Sequence, residues 1–331
     1  MRHSVGPVLA SVALLLAVGC EGAERREPAR PSAEIEQPAP LAHSDLDPAI
    51  YRNQGCRIAI APPRFEAVPP GGVVVPVVFF VYLDGETVRG QVIVKIAPAR
   101  ASLEEVRAAA LSATEEAGER VIGEDRIAVS ARRGVLFHSV AADRESLYLA
   151  VQGDRFTYFV GAQASAESFP RMEKMFRACI DSFRIGEPTS TNPSFYRDPL
   201  YDFTIEPPTR TGPPGQGGTI VHFEAVPPNG RDAVEFMTVN LLPPSSRKEV
   251  RGEMLGRPPT AGQQVNGVDD VEVSGRPALL MDAEDRESHF LNLLVFDSRA
   301  TFAIRCTCGS KAYASRARDL RAALLSLRFE R

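Results

Sequence analysis

The spacing of apolar residues changes several times along this chain, and each change marks an element. Residues 8–18 are apolar but for Ser11. Residues 21–48 hold almost no large apolar side chains and are rich in Pro, Ala, Glu and Arg; such a stretch cannot repay the entropy of ordering and reads as a disordered tether. From 73 to 83, β-branched and aromatic residues crowd together, Asp84-Gly85 turns, and 91–96 returns, which predicts a hairpin. Pro76 inside the first run predicts an edge or a bulge. Ser102 with Glu105 has the spacing of a capping box and opens a helix. Residues 126–130, 134–140, 147–152 and 156–161 read as strands. Phe169, Met172, Phe176, Cys179, Ile180 and Phe183 then fall at helical spacing and form one apolar stripe, which predicts a core-facing helix.

The same pattern is then written a second time. Phe156-Thr157-Tyr158-Phe159-Val160 aligns with Ala300-Thr301-Phe302-Ala303-Ile304 at an offset of 144, and that register holds without a gap to Ile185 and Phe329. Ile60-Ala61-Pro62-Pro63 matches Ile205-Glu206-Pro207-Pro208 at 145, as Val94 and Ile96 match Val239 and Leu241. Ser246 and Glu249 repeat the capping pattern, and Tyr313, Ala317, Leu320, Leu324 and Leu327 repeat the stripe. Asp143-Arg144-Glu145-Ser146 recurs at 285–288, an offset of 142 that a two-residue deletion would explain. The identity of 65–70 with 223–228, at an offset of 158, breaks the common order and reads as coincidence. Strands are predicted in the second copy at 219–226, 233–242, 271–274, 278–282, 290–296 and 301–306.

The expected organisation is therefore a signal segment at 1–19, a tether at 20–50, one domain at 51–186, a turn-rich linker at 187–194 and a second copy at 195–331. The fold class expected is α+β: two tandem copies of an antiparallel sheet with helices packed on it. The early Ile-x-Pro-Pro strand, the hairpin, the middle helix, the later meander and the helix ending Ile180-x-Ser182-Phe183-Arg184 together resemble the PsbP-like and DcrB-like domains of envelope and thylakoid-lumen proteins. That resemblance implies an α/β/α sandwich and a non-catalytic binding or assembly role, and it transfers no functional residue.

The start of the chain adds a location. Arg2 and His3 precede the apolar run, which is short for a membrane span. It ends in Leu16-Ala17-Val18-Gly19-Cys20, which resembles the lipobox of bacterial lipoproteins. That likeness implies cleavage before Cys20, lipidation of its sulfur and a stable membrane anchor of several acyl chains. Glu21, in place of the Asp that retains some lipoproteins at the inner membrane, points to the outer membrane, facing the periplasm or the cell surface. As flexible coil the tether reaches roughly 30 Å. The net charge of -4 comes from the tether, since each copy is nearly balanced, and this excludes a phosphate-dominated nucleic-acid partner.

Candidate chemistry is sparse. Cys56 and Cys179 are both missing from their aligned places in the second copy, Tyr201 and Ala323, which suggests a disulfide between them. Cys306 and Cys308 share a strand face and form a candidate redox pair, with two separate thiols as the alternative. His138, His222 and His289 fall on different strands without common positions in the copies, so no inherited catalytic site is indicated, and no metal site or cofactor motif is found. Arg171, Lys174 and Arg177, with Arg318 and Arg321 in the second copy, line a helix face that a partner could meet. The function expected is a membrane-anchored envelope protein whose two domains bind an envelope protein or a small ligand. A thiol–disulfide enzyme using Cys306 and Cys308, or a structural spacer, is the alternative.

Overall fold

The computed structural model describes residues 50–53, 58–62, 75–84, 87–186, 194–198, 202–207, 218–225, 235–256 and 262–329. The first half runs β1 (Ile50–Asn53), β2 (Ile58–Ile60), β3 (Val75–Asp84), β4 (Thr87–Pro98), α1 (Leu103–Glu116), β5 (Arg120–Val129), β6 (Arg132–Val140), β7 (Arg144–Gln152), β8 (Phe156–Ser165), α2 (Phe169–Asp181) and β9 (Arg184–Ile185). The second runs β10 (Phe195–Asp198), β11 (Phe203–Ile205), β12 (Gly218–Ala225), β13 (Glu235–Leu242), α3 (Arg247–Gly256), β14 (Gln264–Val273), β15 (Arg276–Glu284), β16 (Ser288–Phe296), β17 (Thr301–Gly309), α4 (Ser310–Leu325) and β18 (Arg328–Phe329). Among the described residues no helix is long and apolar enough to cross a membrane.

Local chemistry accounts for the element ends. Ser102 Oγ accepts the Glu105 amide at 3.2 Å, while the Glu105 carboxylate accepts from the Ala101 amide, one residue further back than a capping box requires. Pro76 sits at a register shift in β3, a bulge inside the sheet and not an edge. The β5–β6 turn places Ser130 and Ala131 at positive φ, and the β14–β15 turn does the same with Ser274 and Gly275, as tight hairpins demand. Both serines also tie their turn to the end of the following helix. Ser130 Oγ accepts the Ile185 amide, and Ser274 Oγ donates to the Leu327 carbonyl, each at 3.0 Å.

The strands do not stay within their halves. A twelve-stranded sheet has the order β14-β15-β16-β17-β13-β12-β3-β4-β8-β7-β6-β5, and a six-stranded sheet the order β18-β2-β1-β10-β11-β9. Both orders read the same from either end once the halves are exchanged. At the centre of the large sheet Phe79 faces His222, and in the small sheet Tyr51 faces Tyr196. The hairpin registers make the members of each pair equivalent positions of the two halves, so a pseudo-twofold axis passes through both. The last strand of each half is traded: β9 pairs with β11 and β18 pairs with β2. Ser182 Oγ accepts the Glu206 amide and Ser326 Oγ accepts the Ala61 amide, both at 2.9 Å, which repeats the trade in side chains.

This corrects the expected fold class. The chain is mostly antiparallel strand, in two large sheets that run across both halves, and it is not an α/β/α sandwich. The physical reason lies in the shortest strands: β1, β2, β9, β10, β11 and β18 have two to four residues each and can form a sheet only by pooling. The main core lies between the sheets. There Tyr51 meets Phe80 and Phe223, and Tyr196 meets Phe203 and Phe223, with ring centroids 5.4–6.1 Å apart. Phe176 of α2 and Leu320 of α4 join this core, each side chain of that size contributing about 1.5–3 kcal/mol by burial. Two smaller clusters form where Leu103, Val106 and Ala110 of α1 meet Val135, Phe137 and Ala150, and where Val250 of α3 joins Leu279 and Met281.

Two details of the sequence register also change. Ser139 faces Ser146 across β6–β7 as Ala283 faces Phe290 across β15–β16, so the offset stays at 144 through this turn and nothing is deleted. The recurring Asp-Arg-Glu-Ser tetrads are therefore two residues out of structural register. Strands β5 and β14 are the outermost strands of the large sheet and are longer than expected. Their exposed polar and charged residues suit an edge but hide the strand from apolar patterning.

Candidate binding site

On the face of the large sheet that carries α1, the first half buries one carboxylate. Glu119 is 5% exposed. It accepts from Ser139 Oγ at 2.6 Å, from Arg144 Nε at 2.8 Å, from Ser146 Oγ at 3.3 Å and from the Tyr148 hydroxyl at 3.4 Å. A buried charge met by four donors, one of them cationic, is compensated. Burial, then the charge of Glu119, pushes the Tyr148 hydroxyl above its ordinary range, so it stays a donor. The Tyr148 ring lies over Gly161, where a Cβ would come within 2.8 Å of it.

The registers place Ala283, Phe290, Asn292 and Arg305 at the positions of Ser139, Ser146, Tyr148 and Gly161. The second half thus buries a guanidinium where the first has a glycine under a ring. Arg305 is 9% exposed, its guanidinium lies 4.0 Å over the Phe290 ring, and its Nε is buried without a hydrogen-bond partner. Burial pushes its pKa down to about 10, opposed by the charge of Asp285. Thr307 Oγ1, two residues along the same face of β17, is also buried without a partner. Thr238 and Asn292 flank Arg305 directly on the neighbouring strands. Beyond Thr238 stands His222, whose Nδ1 is 2.9 Å from Thr238 Oγ1. A row of Arg, Thr, Asn and His beside an aromatic plate is equipped to bind.

The opposite face, under α2 and α4, carries a second paired feature. His138 Nε2 lies 2.6 Å from Glu145 in the first half, and His289 Nε2 lies 2.7 Å from Asp282 in the second. By register Asp282 stands at the place of His138, and His289 at that of Glu145. Base and acid have changed places, and the pair survives. Phe169 stacks on His138 with centroids 5.6 Å apart, and its equivalent Tyr313 stacks on His289 at 3.3 Å. Tyr313 also donates to Asp282 at 2.7 Å. Burial would raise the Asp282 carboxyl, but hydrogen bonds from Tyr313, Asn266 and His289 outweigh it and hold the carboxyl below its usual range. The two histidines themselves stand at different positions of the two halves, as the sequence indicates, but the His–acid pair to which each belongs recurs at the same place, through an exchange that comparison of identical residues cannot detect.

The residues singled out in the sequence fall apart in space. Cys20 and Cys56 lie outside the described residues. Cys179 is a buried thiol and not half of a disulfide; its Sγ donates to the Glu206 carbonyl at 2.9 Å, and burial pushes it far above the usual thiol range. The bridge inferred from the joint absence of Cys56 and Cys179 in the second copy is thereby corrected: Cys179 is a free thiol whose partner is the Glu206 carbonyl. Cys306 and Cys308 share a face of β17, as expected, but both are 0% exposed, and Cys306 lies 4.0 Å from the Leu320 carbonyl beneath α4. Cys308 faces His289 across the β16–β17 ladder. On α2, Arg171 and Lys174 are exposed, while Arg177 is paired with Glu173 at 2.8 Å. On α4, Arg318 is exposed and Arg321 lies 3.8 Å from Asp269. Among the described residues no three His, Cys, Asp or Glu side chains converge as a metal site requires.

No known protein family matches this sequence, and no curated protein matches it. Among solved structures, the chain is similar to the T6SS immunity protein TplEi of Pseudomonas aeruginosa, with 12% identity, 85% of this chain and 97% of that chain covered, and a TM-score of 0.40. The Tle4–Tli4 complex gives 12% identity, the same coverage and a TM-score of 0.41. The cyanobacterial PsbP of Synechocystis gives 9% identity, 42% and 92% coverage, and a TM-score of 0.24. Likenesses this faint carry no argument about the fold or activity of this chain.

Proposed function

We propose that this chain is an exported binding protein, non-catalytic, held to the cell envelope by a lipid on Cys20, and that its binding face is the row around Arg305 on the second half. One observation carries the reading. Two halves with the same strand order and register differ on this face, where the first closes its buried charge with four donors and the second leaves its own open. A fold that needed only to be stable had a sealed solution already written in the other half. The regular offset supports descent of 51–186 and 195–331 from one duplicated unit, with 187–194 between them. The full burial of Cys306 and Cys308 disfavours redox exchange, which needs an accessible sulfur.

A photo-cross-linking residue at half-buried Asn292, compared with one at exposed Ile122 of the first half, tests the binding face in intact cells. A single reproducible protein adduct from Asn292 alone is expected. Adducts indistinguishable between the two sites count against it. Mass spectrometry of the mature amino terminus tests the anchor: an unmodified Cys20, or cleavage elsewhere, removes that part of the reading.

A further inference from the structure

A guanidinium carries a full charge at neutral pH, and moving it out of water without a counter-ion is costly. Among the described residues no carboxylate lies within ion-pair distance of Arg305, although the side chain is nine-tenths buried. Its Nε and Thr307 Oγ1 are two of the five buried side-chain atoms left without a partner among the described residues, and they stand two residues apart on one face of one strand. The Phe290 ring covers the guanidinium, its centroid 4.0 Å from Cζ, and takes one side of it from water. Asn292 and Thr238 flank it as neutral polar groups, and the charge of Asp285 bears on it only from beyond ion-pair distance. The first half shows that packing does not require an arginine here, since Gly161 and Tyr148 close the same place.

We propose that Arg305, with Thr307, Asn292 and the Phe290 plate, is a receptor for a carboxylate presented by a partner polypeptide. The fork of a guanidinium matches a carboxylate in two parallel hydrogen bonds, and the threonine hydroxyl supplies a third contact. A phosphate dianion would need a second cation, and Thr307, Asn292 and Thr238 beside Arg305 are all neutral. This deepens the binding reading above by naming the chemistry, and it rests on that reading for the source of the carboxylate.

The Nε–H of Arg305, shielded from water, gives a signal to follow in the mature chain labelled with 15N-arginine. Arg305→Met identifies the signal by its loss. The probes are sodium acetate, inorganic phosphate, and a short amidated peptide with one Glu beside its Gln counterpart. The expected result is a saturable shift with acetate, on the order of millimolar, tighter binding of the Glu peptide, none of the Gln peptide, and weaker binding of phosphate. Thr307→Val should weaken the Glu peptide several-fold. If acetate and the Glu peptide saturate alike, the carboxylate receptor stands and its polypeptide source falls. No saturable shift with any carboxylate, or phosphate binding more tightly, overturns the receptor. Arg305→Met should melt no lower than the natural chain, because it removes an unmatched charge; a lower melting temperature would make Arg305 a structural residue and overturn the proposal. Arg305→Lys, which keeps the charge and loses the fork, should bind the Glu peptide at least tenfold more weakly, and undiminished binding sinks the proposed geometry.

Discussion

Glu119 in the first half and Arg305 in the second are both buried charges on one face of one sheet, and they are treated in opposite ways. Glu119 meets Ser139, Arg144, Ser146 and Tyr148. Arg305 meets the flat of Phe290 and leaves its Nε without a partner. The positions that supply three of the four donors to Glu119 are the positions of Ala283, Phe290 and Asn292. The backbone frame stays constant while the chemistry laid on it diverges. Such a difference teaches where to look for function in a pseudo-symmetric molecule: at the place where symmetry fails in charge but not in register.

The comparison is broken most severely by cutting the chain between the halves. Each half then loses a strand partner, β9 for β11 in one and β18 for β2 in the other, along with the β3–β12 and β1–β10 seams. Residues 51–186 or 195–331 alone should show no cooperative thermal transition by circular dichroism, and mixing the two should restore it. A sharp transition in either half alone would mean that strand trading is not required for folding.

Next in size is the glycine that makes the first half sealable. Gly161→Ala puts a methyl 2.8 Å from Tyr148 Cε1 and 3.2 Å from Ile93 Cγ2. It should cost about 1–3 kcal/mol in urea denaturation, and Tyr148→Asn, the residue of the second half, should recover part of it. The exchanged histidine pairs give a smaller and more pointed test. His138→Asp alone sets two carboxylates together, and Glu145→His alone sets two imidazoles together; each should cost about 1 kcal/mol or more. Made together they rewrite the first cluster as the second, and the double mutant should be closer to the natural chain than the sum of the single changes. Additive losses would show that the pairing carries no coupling.

The smallest expected effect is a slope in acid. The carboxyl of Asp282 is held below its ordinary 3.8 by Tyr313, Asn266 and His289 acting against burial. A depressed folded-state pKa means that the stabilisation is complete above the unfolded value and is lost as pH falls through the folded one. Below about pH 4 the natural chain should therefore lose stability more steeply than Asp282→Asn. Parallel curves would remove Asp282 from the acid response.

How much of this was legible beforehand depended on where a residue sits. Buried strands such as β4, β7 and β8 announced themselves through Val94, Leu149 and Val160, because a side chain kept from water must be apolar. The outermost strands β5 and β14 did not, since Glu124, Asp125 and Asp270 face solvent at the rim and follow no apolar period. The candidate site was invisible for a different reason. Arg305 carries no motif, and its meaning comes from neighbours that lie on β13 and β16, far away in sequence. The cysteines misled for the same reason in reverse: their rarity drew attention, while the full burial of Cys306 and Cys308 and the carbonyl partner of Cys179 became apparent only with the fold.

What the sequence determined by itself is the repeat and its local elements, because period, turn residues and helix starts act over a few residues and are written in order along the chain. The constant offset of 144 through the later strands belongs to this category. Only the tertiary structure decided which strands pair across the halves, that each half lends its last strand to the other, and that one buried charge is matched while its counterpart is not. Those outcomes depend on open strand edges finding partners and on side chains meeting across a sheet, and such contacts join residues that no local pattern connects.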